Sequence, residues 1–140
     1  RSNAWGMEIP GGTNGKSEIL FDYFTTTSNT QYTARTITLA ASKAYLITVN
    51  LWGSDGYTGY GGSYRTLHSV KAGKYYRGPS GGAILSGFST VQDLTPSWGE
   101  SPTIDLSFVI ATNDIQIKVT GQSTFNAKWI METSIRQVSL

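Results

Sequence analysis

The sequence predicts an all-β fold: an antiparallel two-sheet sandwich of jelly-roll type with about eight strands. Apolar residues alternate with polar ones in segment after segment from residue 18 onward, the period of a strand with one buried side. Charged residues make up only 14% of the chain while Gly, Ser, Thr and Tyr are abundant, a composition that disfavours both long surface helices and disorder. Many short segments in 140 residues, with no repeat, fit two packed sheets in one domain. An immunoglobulin-like sandwich is the alternative, without the Cys-Trp-Cys signature of that fold.

The opening, "WGMEIPGGTNGK" over 5–16, holds four glycines and a proline. It is assigned to a lead-in, and Ser2-Asn3-Ala4 resembles a tag-cleavage scar, so residues 1–16 are set apart from a single domain over 17–140. The predicted strands are "EILFDY", "ARTITLA", "AYLITVNLW", "SYRTLHSV", "GAILSGFSTV", "TIDLSFVI", "DIQIKVTG" and "NAKWIMETSIRQVSL". In the third, Tyr45, Ile47, Val49 and Leu51 share one face and Thr48 and Asn50 the other. Thr112-Asn113-Asp114 marks a tight hairpin, because Asn and Asp tolerate the positive φ such a turn needs. Ala41-Ser42-Lys43 suggests a second hairpin. In the last segment the apolar set changes parity, from Trp129 and Met131 to Val138 and Leu140, which predicts a bulge or bend.

Composition narrows the function. Net charge is +2, too small to argue for nucleic acid, and four cations (Arg65, Lys71, Lys74, Arg77) in an acid-free stretch read as a solvated face. There is no cysteine, hence no disulfide, thiolate metal site or thiol nucleophile. No apolar run is long enough for a membrane-spanning helix. His68 is the only histidine and stands in a strand pattern, which argues against a catalytic triad and against zinc. Asp55 is explained by turn chemistry, lacking the further acids of a calcium loop. Asp93 and Glu100, around Trp98, are the one carboxylate pair worth weighing for glycoside hydrolysis, but they stand in a proline-punctuated connection. No enzyme, cofactor or metal is expected.

"LWGSDGYTGYGGSY", 51–64, contains five glycines, three tyrosines and a tryptophan. Tyr and Trp offer large contact area with few torsions, and Ser and Gly adapt around them, so the stretch reads either as a binding loop or as a long turn. The candidate ligand-binding residues are Trp52, Tyr57, Tyr60, Tyr64, Arg65, Tyr76 and Arg77. Their chemistry suits a saccharide, with Arg65 and Arg77 favouring an acidic or phosphorylated one.

The end of the chain, with Val119-Thr120-Gly121, a polar loop and Trp129 in the last strand, resembles the closing strands of C-terminal domains on tailed-bacteriophage fibres and receptor-binding proteins. "RTITLAASKAYLITVNLWG", the glycine-rich loop, "SYRTLHSVKAGKYYRG" and "GGAILSG" follow the same order, while Gln137-Val138-Ser139 replaces the acid those domains carry near their end. The resemblance implies a homotrimeric β-domain at a fibre tip on the virion tail, attaching to the host surface; the loop chemistry and the lack of a catalytic set make the expected partner a bacterial surface glycan, bound without catalysis. Its rivals are a structural trimerisation or capping domain without ligand, and a surface glycan hydrolase. Neither nucleic-acid binding nor membrane insertion is expected.

Overall fold

The computed structural model describes residues 3–12, 14–58, 64–80, 84–94, 105–121 and 126–140, with the side chains at some strand ends excepted. Among the described residues, nine strands follow in chain order: β1 (Asn3–Pro10), β2 (Gly15–Thr27), β3 (Gln31–Thr38), β4 (Lys43–Thr58), β5 (Tyr64–Arg77), β6 (Leu85–Leu94), β7 (Asp105–Ala111), β8 (Asp114–Thr120) and β9 (Asn126–Ser139). They form a six-stranded sheet ordered β1-β2-β9-β4-β5-β6 and a three-stranded sheet ordered β3-β8-β7, with every pairing antiparallel. β2 pairs with β9, β3 with β8 and β5 with β6, so strands from opposite ends of the chain nest as in a jelly roll. β4 departs from that wrapping by staying beside β5 in the larger sheet.

In β4 the inward residues are those the alternation predicts. Tyr45, Ile47, Val49 and Leu51 of β4 and Ala127, Trp129, Met131 and Ile135 of β9 are buried. They close a core against Ile37, Leu106, Ile115, Ile117 and Val119 of the smaller sheet. Between the layers, the buried Asp22 of β2 accepts two hydrogen bonds from Arg35 of β3, from Nε and Nη2, each 2.8 Å long. This forked pair compensates the carboxylate charge that Asp22 brings inside the sandwich.

Three expectations need correction. The stretch assigned to a lead-in forms β1 and the start of β2, joined by a turn in which Gly12 takes φ +71° and Gly11 N–H donates to the Gly15 carbonyl at 2.8 Å. Trp5, Met7 and Ile9 had an alternation of their own among the glycines, and Pro10 ends the strand where its missing N–H does least harm. Ala41-Ser42-Lys43 makes no hairpin: β3 pairs with β8 and β4 with β5 and β9, so the connection crosses between sheets. Its backbone bonds to other strand ends instead. Ser42 N–H donates to the Gly78 carbonyl, Leu39 N–H to the Asn113 carbonyl, and Ala40 N–H to the Tyr45 hydroxyl. Finally, β9 keeps unbroken register with both β2 and β4, without a bulge. Val138 and Leu140 lie exposed, Val138 on the outer side of the sheet, so the change of parity needs no bulge.

The hairpin between β7 and β8 is present, with Ala111 opposite Asp114. The positive φ falls on Thr112, at 56°, one residue before the Asn thought to carry it. Of the predicted fifth segment, 85–91 lies in β6, which runs on to Leu94, and Gly82 and Ala83 lie outside the described residues.

Candidate functional site

The six-stranded sheet turns one face to the core and the other outward, and the outward face carries large apolar groups. Strand register arranges them in rows. One row runs Tyr23–Ile130–Trp52–His68 across β2, β9, β4 and β5. Tyr23, Ile130 and Trp52 are 44%, 40% and 51% exposed, although they stand on interior strands of the sheet. His68 closes the row, its Nε2 2.6 Å from Asn50 Oδ1, as a strand histidine held by a neighbour.

A cleft of about 470 Å³ opens at this row, and Tyr23, Trp52 and Ile130 line it together with the polar Thr25, Ser54, Thr66 and Lys128. The opposite side of the same strands is closely packed. Gly53, facing inward behind Trp52, has no room for a side chain: a Cβ there would meet the Lys128 carbonyl and stand 2.6 Å from the Trp129 ring. Trp129 fills that space and donates from Nε1 to Thr26 Oγ1 at 2.9 Å, both residues being buried. An exposed tryptophan and a buried one are thus held back to back across adjacent strands.

The quoted glycine-rich stretch is the far end of a β4–β5 hairpin. Its strands lose register between Ser54 and Thr58, where Gly56 takes φ +73°, and re-pair at Thr58 and Tyr64. Tyr60 lies outside the described residues, and of Tyr57, Tyr64 and Arg65 the side chains lie outside them too. The backbone of Tyr57, Tyr64 and Arg65 belongs to the hairpin arm beyond Trp52.

Tyr76 and Arg77 stand elsewhere. Tyr76 pairs with Ala44, eight residues along β5 from His68, which is roughly 26 Å at the rise of a strand. Arg77 Nη1 donates to the Leu39 carbonyl at 2.6 Å, tying β5 to the connection between sheets. Of the candidates the structure describes, Trp52 and the backbone of Tyr57, Tyr64 and Arg65 therefore stand at one end of the sheet, and Tyr76 and Arg77 at the other.

Sequence reasoning missed Tyr23, Ile130 and Lys128. A signal was there: in β2, Leu20 and Phe24 occupy one parity while Ile19, Phe21 and Tyr23 occupy the other, so both faces are apolar. A strand with two apolar faces in an antiparallel sheet has something to cover on each side.

Among the described residues, no cluster of three or more His, Asp or Glu is placed to hold a metal ion. The carboxylate pair weighed for hydrolysis has Glu100 outside the described residues, together with the side chain of Asp93. No helix is long and apolar enough to cross a membrane among the described residues. Among the described residues, burial pushes the Tyr75 hydroxyl up from 10.0 to about 12.

The sequence matches no protein-family model, and no curated protein matches it. Among solved structures it is similar to the tailspike protein of Acinetobacter baumannii phage AM24, with a TM-score of 0.41 and 12% identity. That alignment covers 100% of this chain and 26% of the tailspike chain, so this chain spans about a quarter of that protein's length.

Proposed function

We propose that the chain is a non-enzymatic host-attachment module, a fibre-tip domain of a phage tail that binds a bacterial surface saccharide in the Trp52 cleft. The observation that carries the reading is the half-exposed Trp52 beside Ile130 and Tyr23, on interior strands, with Ser54, Thr66 and Lys128 around them. An aromatic face stacks on the C–H side of a sugar ring, and hydroxyl and ammonium groups at the rim bond its hydroxyls or acid groups. The backbone of Tyr57, Tyr64 and Arg65 lies beyond Trp52 at the same end. The phage setting and the virion location rest on the resemblance of the closing strands.

The homotrimer belongs to the same proposal. Trp5, Met7 and Ile9 of β1 are 60%, 46% and 52% exposed, and they sit on an edge strand beside Ile19 and Phe21. An apolar strip on an unpaired edge gains from cover by a neighbouring copy. The rival without a ligand keeps the trimer and drops the cleft.

Binding of the intact domain to an array of bacterial surface polysaccharides tests the reading. Retention of a defined subset, weakening with salt and without shortening of the polymer, supports it. An array with no bound glycan favours the structural domain, and cleavage of a bound polymer favours the hydrolase.

A further inference from the structure

The far end of the outward face holds a second, chemically different cleft of about 640 Å³. Ala44, Leu46 and Val138 form its floor, and Tyr76 and Leu140 flank it. Register fixes the layout. Val138, Ala44 and Tyr76 make one row across β9, β4 and β5, and Arg136, Leu46 and Lys74 make the next row on the same face. Two exposed cations thus stand on either side of Leu46, about two strand spacings apart, roughly 10 Å. Among the described residues neither forms an ion pair with a carboxylate.

We propose that this cleft binds a single anionic acyl lipid, the phosphate or carboxylate head between Arg136 and Lys74 at the Leu46 row and the chain running from there over Ala44 and Val138 towards Leu140. The volume falls in the range of small-ligand sites. The chemistry of the lining selects among occupants. A neutral sugar would set its hydroxyls against an aliphatic floor with only the Tyr76 hydroxyl and two cations to bond them, leaving most unpaired. A second copy stacked on this face about a twofold axis would bring Arg136 and Lys74 towards the same cations of its partner. An acyl anion meets both features at once, since apolar surface covers the floor while the head neutralises two charges. The inference stands apart from the saccharide reading, because the two clefts lie at opposite ends of the sheet.

Titration of the ¹⁵N-labelled domain with dodecyl phosphate, kept below its micelle concentration, tests it. Saturable one-to-one shifts are expected at the amides of Ala44, Leu46, Tyr76 and Val138. Dodecyl maltoside should bind at least about tenfold more weakly, and so should dodecyl phosphate to Lys74→Glu with Arg136→Glu. Trp52→Ala should bind dodecyl phosphate as the unaltered domain does, which separates failure here from failure at the saccharide cleft. Equal affinity for the neutral amphiphile, shifts confined to other residues, or no binding because a second copy covers the face would each overturn the proposal.

Discussion

Replacing Trp129 by alanine removes the largest side chain between β9 and the rest of the core. The indole is 2% exposed, contacts the backbone groove left by Gly53, and donates to a Thr26 hydroxyl that is itself 1% exposed. Truncating a buried aromatic costs about 3–5 kcal/mol through lost burial and the cavity left behind. Stranding the Thr26 hydroxyl adds about 1–3 kcal/mol. The sum is comparable to the whole stability of a small domain, about 5–15 kcal/mol, so Trp129→Ala should be unfolded or nearly so at room temperature. Trp129→Phe retains a ring but no donor, and should lose mainly the hydrogen-bond share. Urea denaturation followed by circular dichroism measures both, and adding Thr26→Val to Trp129→Phe should recover part of the loss. A Trp129→Ala domain within about 1 kcal/mol of the unaltered one, with the same denaturant slope, would refute the view that this residue anchors the sheet behind the cleft.

Arg35→Met leaves Asp22 buried without its guanidinium and should cost about 3–5 kcal/mol in chemical denaturation, most of it recovered by adding Asp22→Leu. Thr133 is fully buried and its hydroxyl has no hydrogen-bond partner among the described residues, so Thr133→Val should raise stability by about 1 kcal/mol in the same assay. Tyr75 keeps its proton to about pH 12 when folded but ionises near 10.0 when unfolded. Its contribution is therefore complete below pH 10 and falls by about 2–3 kcal/mol as the pH rises to 12, a loss that the difference between the unaltered domain and Tyr75→Phe across alkaline denaturation curves should show.

The core was legible because burial on one face imposes period two, and β4 from Tyr45 to Gly53, β8 and β9 from Ala127 to Ile135 follow it without interruption. Sheet membership was not. The segment ending at Ala40 and the one beginning at Ala44 look like hairpin arms, yet the Leu39 amide bonds to Asn113 and the Tyr45 hydroxyl accepts from Ala40, contacts made far along the chain or across a crossing. β1 was hidden because Gly6, Gly11 and Gly12 look like loop residues, whereas a Cβ at Gly6 would stand 2.6 Å from Leu20 Cδ2. For the site, aromatic composition pointed to Trp52 but also to Arg77, whose guanidinium bonds a backbone carbonyl. Composition along a segment cannot reveal that Tyr23 and Ile130 join Trp52 in one row, since that depends on pairing between strands about a hundred residues apart in sequence.

The central claim is that Trp52 is a platform for a surface glycan and not a piece of core. The direct test is the affinity of unaltered and Trp52→Ala domains for the strongest ligand on the polysaccharide array, measured by calorimetry alongside melting curves. Loss of an exposed side chain should leave stability within about 0.5 kcal/mol, while removal of a stacking face should weaken binding at least about tenfold. Unchanged affinity in a folded Trp52→Ala domain would contradict the claim.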